Sequence, residues 1–163
     1  MDINWYIVLS TGIIPTIIGF LWYGPLFGKI WIKEAGVNPD PQKVNMGKMI
    51  SMTLVFGILL AISLVPAVIH QWSVMSALAT PEFGQPGSEP AKYFTDFIER
   101  FDNNFRTFRH GALHGFIMGL TIFFPVIGCN ALYERKSWKY TFLNAGFWTI
   151  CAMIMGGIIC AFA

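Results

Sequence analysis

The hydrophobic pattern of the chain is dominated by four long apolar stretches separated by shorter polar segments. The stretches at residues 5–23, 49–69 and 140–163 carry no charged side chain, and the stretch at 111–133 adds only His114. About twenty apolar residues are needed to cross the hydrocarbon core of a bilayer, and a span in lipid must satisfy its backbone hydrogen bonds internally. We therefore predict an all-α membrane protein with four transmembrane helices. The predicted spans cover about residues 4–24, 48–70, 110–133 and 139–162.

The segment between the second and third spans divides into a linker and an amphipathic helix. Residues 79–90 are rich in proline and glycine, which predicts an irregular external linker. Residues 91–108 place apolar side chains at helical spacing, with the charged side chains largely off that face. The apolar stripe consists of Phe94, Phe97, Ile98, Phe101, Phe105 and Phe108. We predict an interfacial helix, with capping of the bundle or docking on a partner protein as alternatives.

The composition supports the membrane class and narrows the remaining possibilities. The chain of 163 residues is 55% hydrophobic and 12% charged, whereas roughly a quarter of the residues in a soluble domain are charged. We expect one membrane domain over residues 1–163. A scattered net charge of +2 excludes a nucleic-acid partner, which needs a dense basic face. Cys129, Cys151 and Cys160 all lie in apolar stretches, so no disulfide framework is expected.

The N-terminus and the loops indicate how the chain is oriented in the membrane. The N-terminus lacks the basic start and cleavage site of a secretory signal, so the first span is expected to remain as a helix. Cytoplasmic loops are enriched in lysine and arginine. Seven such residues follow the first and third spans, and four lie on the other side. We therefore predict both termini outside, in a membrane expected to be a bacterial inner membrane. The seven are Lys29, Lys33, Lys43, Lys48, Arg135, Lys136 and Lys139.

Small residues recur along the third span. Gly111, Gly115 and Gly119 are four residues apart, so they share one helix face where another backbone can approach closely. The pattern predicts a helix-packing surface, but it does not show whether that surface closes one chain or joins several. Asn130 and Asn144 lie on adjoining spans, and we predict a hydrogen bond between their side chains across the hairpin, with a substrate-binding polar pair as the alternative.

The three histidines form the main candidate site. His110 and His114 are one helical turn apart, a spacing that suits joint coordination of a metal. His70 ends the second span on the same side, and Cys160 and Met118 add sulfur donors nearby. Ligands of this type suit copper or zinc. We expect a structural or proton-responsive polar cluster without a cofactor. The alternative is a metal site with His70, His110 and His114 as candidate ligands, or haem held between the helices.

The opposite end carries aromatic and charged residues typical of a membrane interface. After the first span, Trp22 and Tyr23 suggest an aromatic belt, Gly24 and Pro25 a helix end, and Trp31 a return to the interface. After the third span, a charged turn precedes a tryptophan that begins the fourth span. These residues are Glu134, Arg135, Lys136 and Trp138.

Three motifs carry a resemblance to a known family. They read WYGPLFGKIW at 22–31, HGALHGFIMG at 110–119 and NALYERKSWKYTFLNAG at 130–146. Together they resemble a family of small four-helix membrane proteins from bacteria and fungi that is catalogued as a domain of unknown function. The resemblance covers nearly the whole chain and implies a single membrane domain. It implies no activity, substrate or cofactor. The phenylalanine-rich segment at about 85–108 is longer than the family leads us to expect.

Two functional hypotheses follow from these patterns. No nucleophile, base and orienting group occur together in the sequence, so we expect no enzyme. The leading hypothesis is a non-catalytic integral membrane protein that uses its glycine faces to assemble with itself or with a larger membrane complex. The alternative is a small transporter or channel whose histidines bind a metal or sense protons in the outer leaflet.

Overall fold

The computed structural model describes residues 3–37 and 44–163 of the chain, and within these ranges the regular structure is helical with no strand. A 3₁₀ turn over Thr11–Ile13 joins the first two helices, and wider π turns occur at Trp22–Leu26 and Gly119–Phe123. The α-helices are α1 (Trp5–Ser10), α2 (Ile14–Leu21), α3 (Gly28–Ala35), α4 (Met46–Val68), α5 (His70–Ala77), α6 (Glu89–Phe101), α7 (Phe108–Met118), α8 (Phe124–Tyr133) and α9 (Trp138–Phe162).

Four helical segments are long and apolar enough to cross a membrane. Each begins and ends within a few residues of its predicted span. Large apolar side chains such as Ile17, Leu59 and Leu120 are exposed on these helices, as expected for surfaces that contact acyl chains instead of water. The all-α membrane fold predicted from the sequence is thus confirmed. The spans are Trp5–Leu26, Met46–Val68, Phe108–Tyr133 and Trp138–Phe162.

The fourth span, formed by α9, lies at the centre of the bundle. In the most apolar part of α9, 50% of the residues are buried, compared with 11–22% in the same part of the other three spans. Its side chains Cys151, Met155 and Ile159 are fully buried and pack with Leu64 and Val68 of α4. The second and third spans therefore occupy positions that are set by their contacts with α9.

The glycines of the third span form a seam with α9. A Cβ atom added to Gly111 would overlap the carbonyl oxygen of Gly156, and one added to Gly115 would overlap the carbonyl group of Ala152. Gly119 lies against the side chain of Thr149 in the same way. This glycine seam lies within one chain. It is therefore not the free surface between copies on which the self-assembly hypothesis relied.

The amphipathic helix is shorter than predicted. Helix α6 starts with Ser88 as its N-cap and ends at Phe101, whereas the sequence indicated a helix that runs to residue 108. Phe105 lies in the following turn with a φ of 61°. Phe108 belongs to α7, where its ring packs on Gly157. The long stripe thus breaks because its last two phenylalanines contact other helices, and only α6 itself retains the amphipathic pattern.

The end of the first span is tied to α9 by two side chains. Trp22 donates from its indole Nε1 to the carbonyl oxygen of Leu143 at 3.1 Å, and Tyr23 donates from its hydroxyl to Asn144 Oδ1 at 3.0 Å. Asn144 also donates to the carbonyl of Tyr140. The predicted bond between Asn144 and Asn130 was wrong, because Asn130 is exposed on α8 and the asparagine of α9 is already occupied by Tyr23.

The regular helix of the first span is interrupted at Gly24, as the Gly24-Pro25 pair predicted. Both residues lie inside the π turn, where Gly24 has a φ of −104° and a ψ of −107°, and the chain continues through Phe27 into α3. Trp31 of α3 then folds back so that its ring lies 5.2 Å from that of Tyr23. The pair therefore bends the helix and places α3 against the bundle.

The turn after the third span docks on the end of α3. Ser137 donates a hydrogen bond to Glu34, and Lys136 donates to the carbonyl of Ala35. Glu134 and Arg135 are exposed in this turn, and Trp138, the first residue of α9, is also exposed. We call this region, with α3 and the starts of α4 and α9, the basic end. Lys43, one of its predicted cations, lies outside the described residues.

Candidate metal centre

His70 is positioned by a break between α4 and α5. Pro66 lies near the end of α4, and Ile69 leaves the helical conformation with a φ of −107° and a ψ of 95° before α5 begins. The break frees the carbonyl of Val68, which accepts a contact from the Cys160 thiol at 3.2 Å. His70 therefore starts a new helix, and its ring reaches α7. We call this region, with α5, α6 and the start of α7, the histidine end.

His110 and His114 are positioned by the first two turns of α7. Thr107 caps the helix, and its side chain accepts the backbone N–H of His110 at 3.2 Å. Each histidine directly precedes a seam glycine, so its side chain lies about 100° around the helix from the seam. Because Gly111 and Gly115 face α9, the two imidazoles are directed towards the His70 side of the bundle.

The three imidazoles meet at one point. Nε2 of His70 lies 2.9 Å from Nε2 of His110, and one ring nitrogen of each histidine lies within 4.8 Å of the others. The ring centroids are 4.6–5.0 Å apart. The chain has only three histidines, and the structure brings all of them together. We call these residues the histidine triad.

Phe105 covers the triad and was missed by sequence reasoning as a site residue. Its ring stacks on His110 at 4.9 Å with an interplanar angle of 27°, and it meets His70 edge-on at 6.1 Å. Its positive φ of 61° is unusual for a bulky residue, so the turn that carries it must be held by other contacts. The sequence assigned Phe105 to a continuous helix, which hid this role.

Gln71 holds that turn in place and was also missed. Its side-chain Nε2 lies within hydrogen-bond distance of the carbonyl oxygens of Phe101, Asp102 and Asn104, at 2.9, 2.9 and 3.1 Å. Gln71 is buried and follows His70 directly in the chain. The same helical turn of α5 therefore supplies one histidine of the triad and the side chain that anchors the turn carrying Phe105. A polar residue within an apolar run was the available signal.

The two sulfur atoms proposed as additional donors do not join the triad. Cys160 directs its Sγ to the carbonyls of Val68 and Phe105, each at 3.2 Å. Met118 packs against the apolar core. The cluster of candidate ligands among the described residues therefore consists of imidazoles, with no thiolate or carboxylate.

Comparison with known proteins gives a family and no functional relative. No curated protein and no solved structure matches the chain. The family described as a protein of unknown function, DUF1761, matches residues 6–160. This match confirms the resemblance indicated by the three sequence motifs and extends over all four spans. The chain is therefore a member of the DUF1761 family of proteins of unknown function.

Proposed function

We propose that this protein is a membrane-embedded metal-binding protein that holds one divalent transition metal ion at its histidine end. The observation that carries the proposal is the convergence of the histidine triad, with its ring nitrogens within 4.8 Å of one another. The ligands come from two separate helices, so the site depends on the tertiary fold and not only on the spacing within α7. A structural hydrogen bond between two histidines does not require the third one.

The ligand chemistry favours zinc or copper. Neutral imidazole is a borderline ligand that suits Zn²⁺, Cu²⁺ and Ni²⁺ better than Mg²⁺ or Ca²⁺. Zinc–nitrogen bonds of about 2.0–2.1 Å at tetrahedral angles place bound nitrogens about 3.3 Å apart. The facing nitrogens of His70 and His110, at 2.9 Å, therefore need to separate only slightly. The same short distance leaves no slot for a porphyrin between these two rings, so an ion fits better than haem.

The surroundings favour holding the ion over conducting it through one chain. Beside and below the triad, the glycine seam brings the backbones of α7 and α9 together at Gly111 and Gly115, and the neighbouring core side chains Val68 and Met155 are apolar and fully buried. An ion pathway needs polar groups or water along its length. We therefore propose a stationary site, and the non-catalytic role expected from the sequence is retained. Transport stays the alternative.

The charges of the two ends support an orientation of the protein in the membrane. The basic end carries Lys29, Lys33, Lys48, Arg135, Lys136 and Lys139, and positive loops favour the cytoplasm. This supports a position of the triad on the extracytoplasmic side, where it would meet metal ions arriving from outside. A position in the bacterial inner membrane and assembly into oligomers are further proposals. The glycine seam does not support oligomers, because it is occupied within one chain.

The test is metal binding by purified protein that carries an affinity tag without histidine. We expect one zinc ion per chain by elemental mass spectrometry. We also expect His70→Ala, or the double change His110→Ala and His114→Ala, to weaken zinc binding by about 100-fold or more in a competition titration with a chelating dye. His70→Ala is the sharper variant, since it leaves the pair on α7 intact.

Asn130→Ala provides a matched control, because it removes an exposed polar side chain far from the triad. It should bind zinc with unchanged affinity. A wild-type protein that stays metal-free in excess zinc or copper would show that the triad is a structural polar cluster. Equal zinc affinity of the wild type and His70→Ala would show that His70 of α5 is not a metal ligand.

A further inference from the structure

The basic end contains a cavity that the metal proposal does not use. Its volume is about 700 Å³, within the range of about 300–1,000 Å³ that small-molecule sites occupy. It lies between the end of the first span, α3, the start of α4 and the middle of α9. Aromatic rings form much of its wall, among them Phe20, Tyr23, Trp31, Phe147 and Trp148. The cavity is thus a separate site, at the opposite end from the triad.

Two polar atoms of the cavity wall have no hydrogen-bond partner in the described part of the chain. The indole Nε1 of Trp31 and the hydroxyl Oγ1 of Thr16 are both shielded from solvent and unpaired among the described residues. An unsatisfied buried donor costs about 1–3 kcal/mol, and such groups are rare in folded proteins. An indole N–H can only donate. The missing partner of Trp31 is therefore a hydrogen-bond acceptor, and both side chains line the cavity from which it can approach.

The remaining wall limits the charge of an occupant. The described lining contains no lysine, arginine, aspartate or glutamate, and the hydroxyl of Tyr23 already donates to Asn144. A phosphate head group would be left without a cation, which is unfavourable in an apolar site. The described part of the wall therefore favours an occupant that is uncharged and carries at least one acceptor oxygen.

The rim shows how such a molecule would lie in the membrane. Phe20, Met49 and Ile50 line the cavity and are also exposed on the surface of the spans. An apolar tail can leave the cavity between them and continue into the acyl chains of the bilayer. The enclosed part is lined by flat rings, which pack well against a planar head group.

We propose that this cavity binds an isoprenoid quinone. Its planar ring packs among the aromatic side chains, its carbonyl oxygens accept hydrogen bonds from Trp31 Nε1 and Thr16 Oγ1, and its tail passes between Phe20 and Ile50. The proposal concerns binding alone. It is independent of the metal site, so either proposal can fail without the other.

The test is retention of a short-chain ubiquinone analogue by the full chain in detergent. Protein and free quinone are separated by gel filtration, and the extracted quinone is measured by its absorbance. We expect near-stoichiometric retention by the wild type. Trp31→Phe keeps an aromatic ring but removes the N–H donor, and it should weaken retention about tenfold. Trp5→Phe makes the same change at an exposed position at the other end of the first span and should retain quinone like the wild type.

Gly19→Leu gives a second variant that fills the cavity. A Cβ atom at Gly19 lies at ordinary contact distance, 3.8 Å, from the ring of Phe147, so the backbone can accept a side chain there. This variant should fold, elute as a monodisperse peak and lose the quinone. Retention no greater than that of empty micelles, undiminished retention by Gly19→Leu, or retention of a phospholipid in place of the quinone would each overturn the proposal.

Discussion

At the scale of single residues, the histidine triad depends on which ring nitrogens carry a proton. Only one hydrogen fits between the Nε2 atoms of His70 and His110 at 2.9 Å, and a metal ion must replace it so that both nitrogens present lone pairs. The pairing of His110 with His114 was readable from their spacing. The role of Phe105 was not, and the polar Gln71 could be noticed without its partners, since both roles depend on a turn that interrupts a continuous helical pattern.

We predict that zinc binding is lost as the pH falls. A metal ligand must be a neutral imidazole, and an ordinary imidazole becomes protonated below about pH 6.5. The proposed site uses three histidines, so acid would compete with the ion at several positions. Occupancy should fall from nearly full at pH 8 to little at pH 5, with a dependence steeper than one proton. Dialysis at stepped pH followed by elemental analysis measures this, and full occupancy at pH 5 would contradict ligation by the triad.

At the scale of helices, the sequence predicted each span, but it only partly predicted which helices pack against one another. About twenty apolar residues identify a span regardless of its contacts, and all four spans were found in this way. The glycine face of the third span was visible in the sequence. The identity of its partner was not, because the sequence does not show which helix supplies the facing small residues, here Ala152 and Gly156 of α9. The predicted end of α6 was wrong because the apolar spacing continues across the turn at Phe105.

We predict that Gly115→Ala destabilises the bundle by about 1–3 kcal/mol, since the new Cβ would collide with the backbone of Ala152 and Met153. Gly128→Ala is the matched control on the same span. Its Cβ would lie 3.7 Å from the side chain of Thr141, an ordinary contact, so it should be neutral or slightly stabilising. Unfolding in mixed micelles of increasing SDS content, followed by circular dichroism, compares the two variants. An equal loss of stability in the two variants would contradict the close packing of Gly115 against α9.

At the scale of the whole molecule, hydrophobicity predicted the class and the charge pattern suggested the orientation. The central position of α9 could not be predicted, because its hydropathy resembles that of the first and third spans. Burial there reflects the small side chains that let neighbours approach, and not greater apolarity. The cavity at the basic end also escaped the sequence, since it forms where the π turn carries α3 back onto the bundle.

We predict that the histidine end faces the outside of the cell. In a Cys129→Ala background, Gly84→Cys lies in an open turn with nothing near its Cβ and should react with a membrane-impermeant maleimide in intact cells. Glu134→Cys, exposed at the basic end, should react only after the membrane is permeabilised. The reverse labelling pattern would place the triad in the cytoplasm.

The glycine seam also determines when the triad can be complete during synthesis. All three ligands lie between residues 70 and 114, so they leave the ribosome before the fourth span does. The helix that carries two of them is positioned by α9 through Gly111 and Gly115. A nascent chain that has inserted three spans would therefore possess every ligand and still lack the support that orients them. On the proposed metal-binding role, capture of the ion would therefore wait until the fourth span has packed against α7.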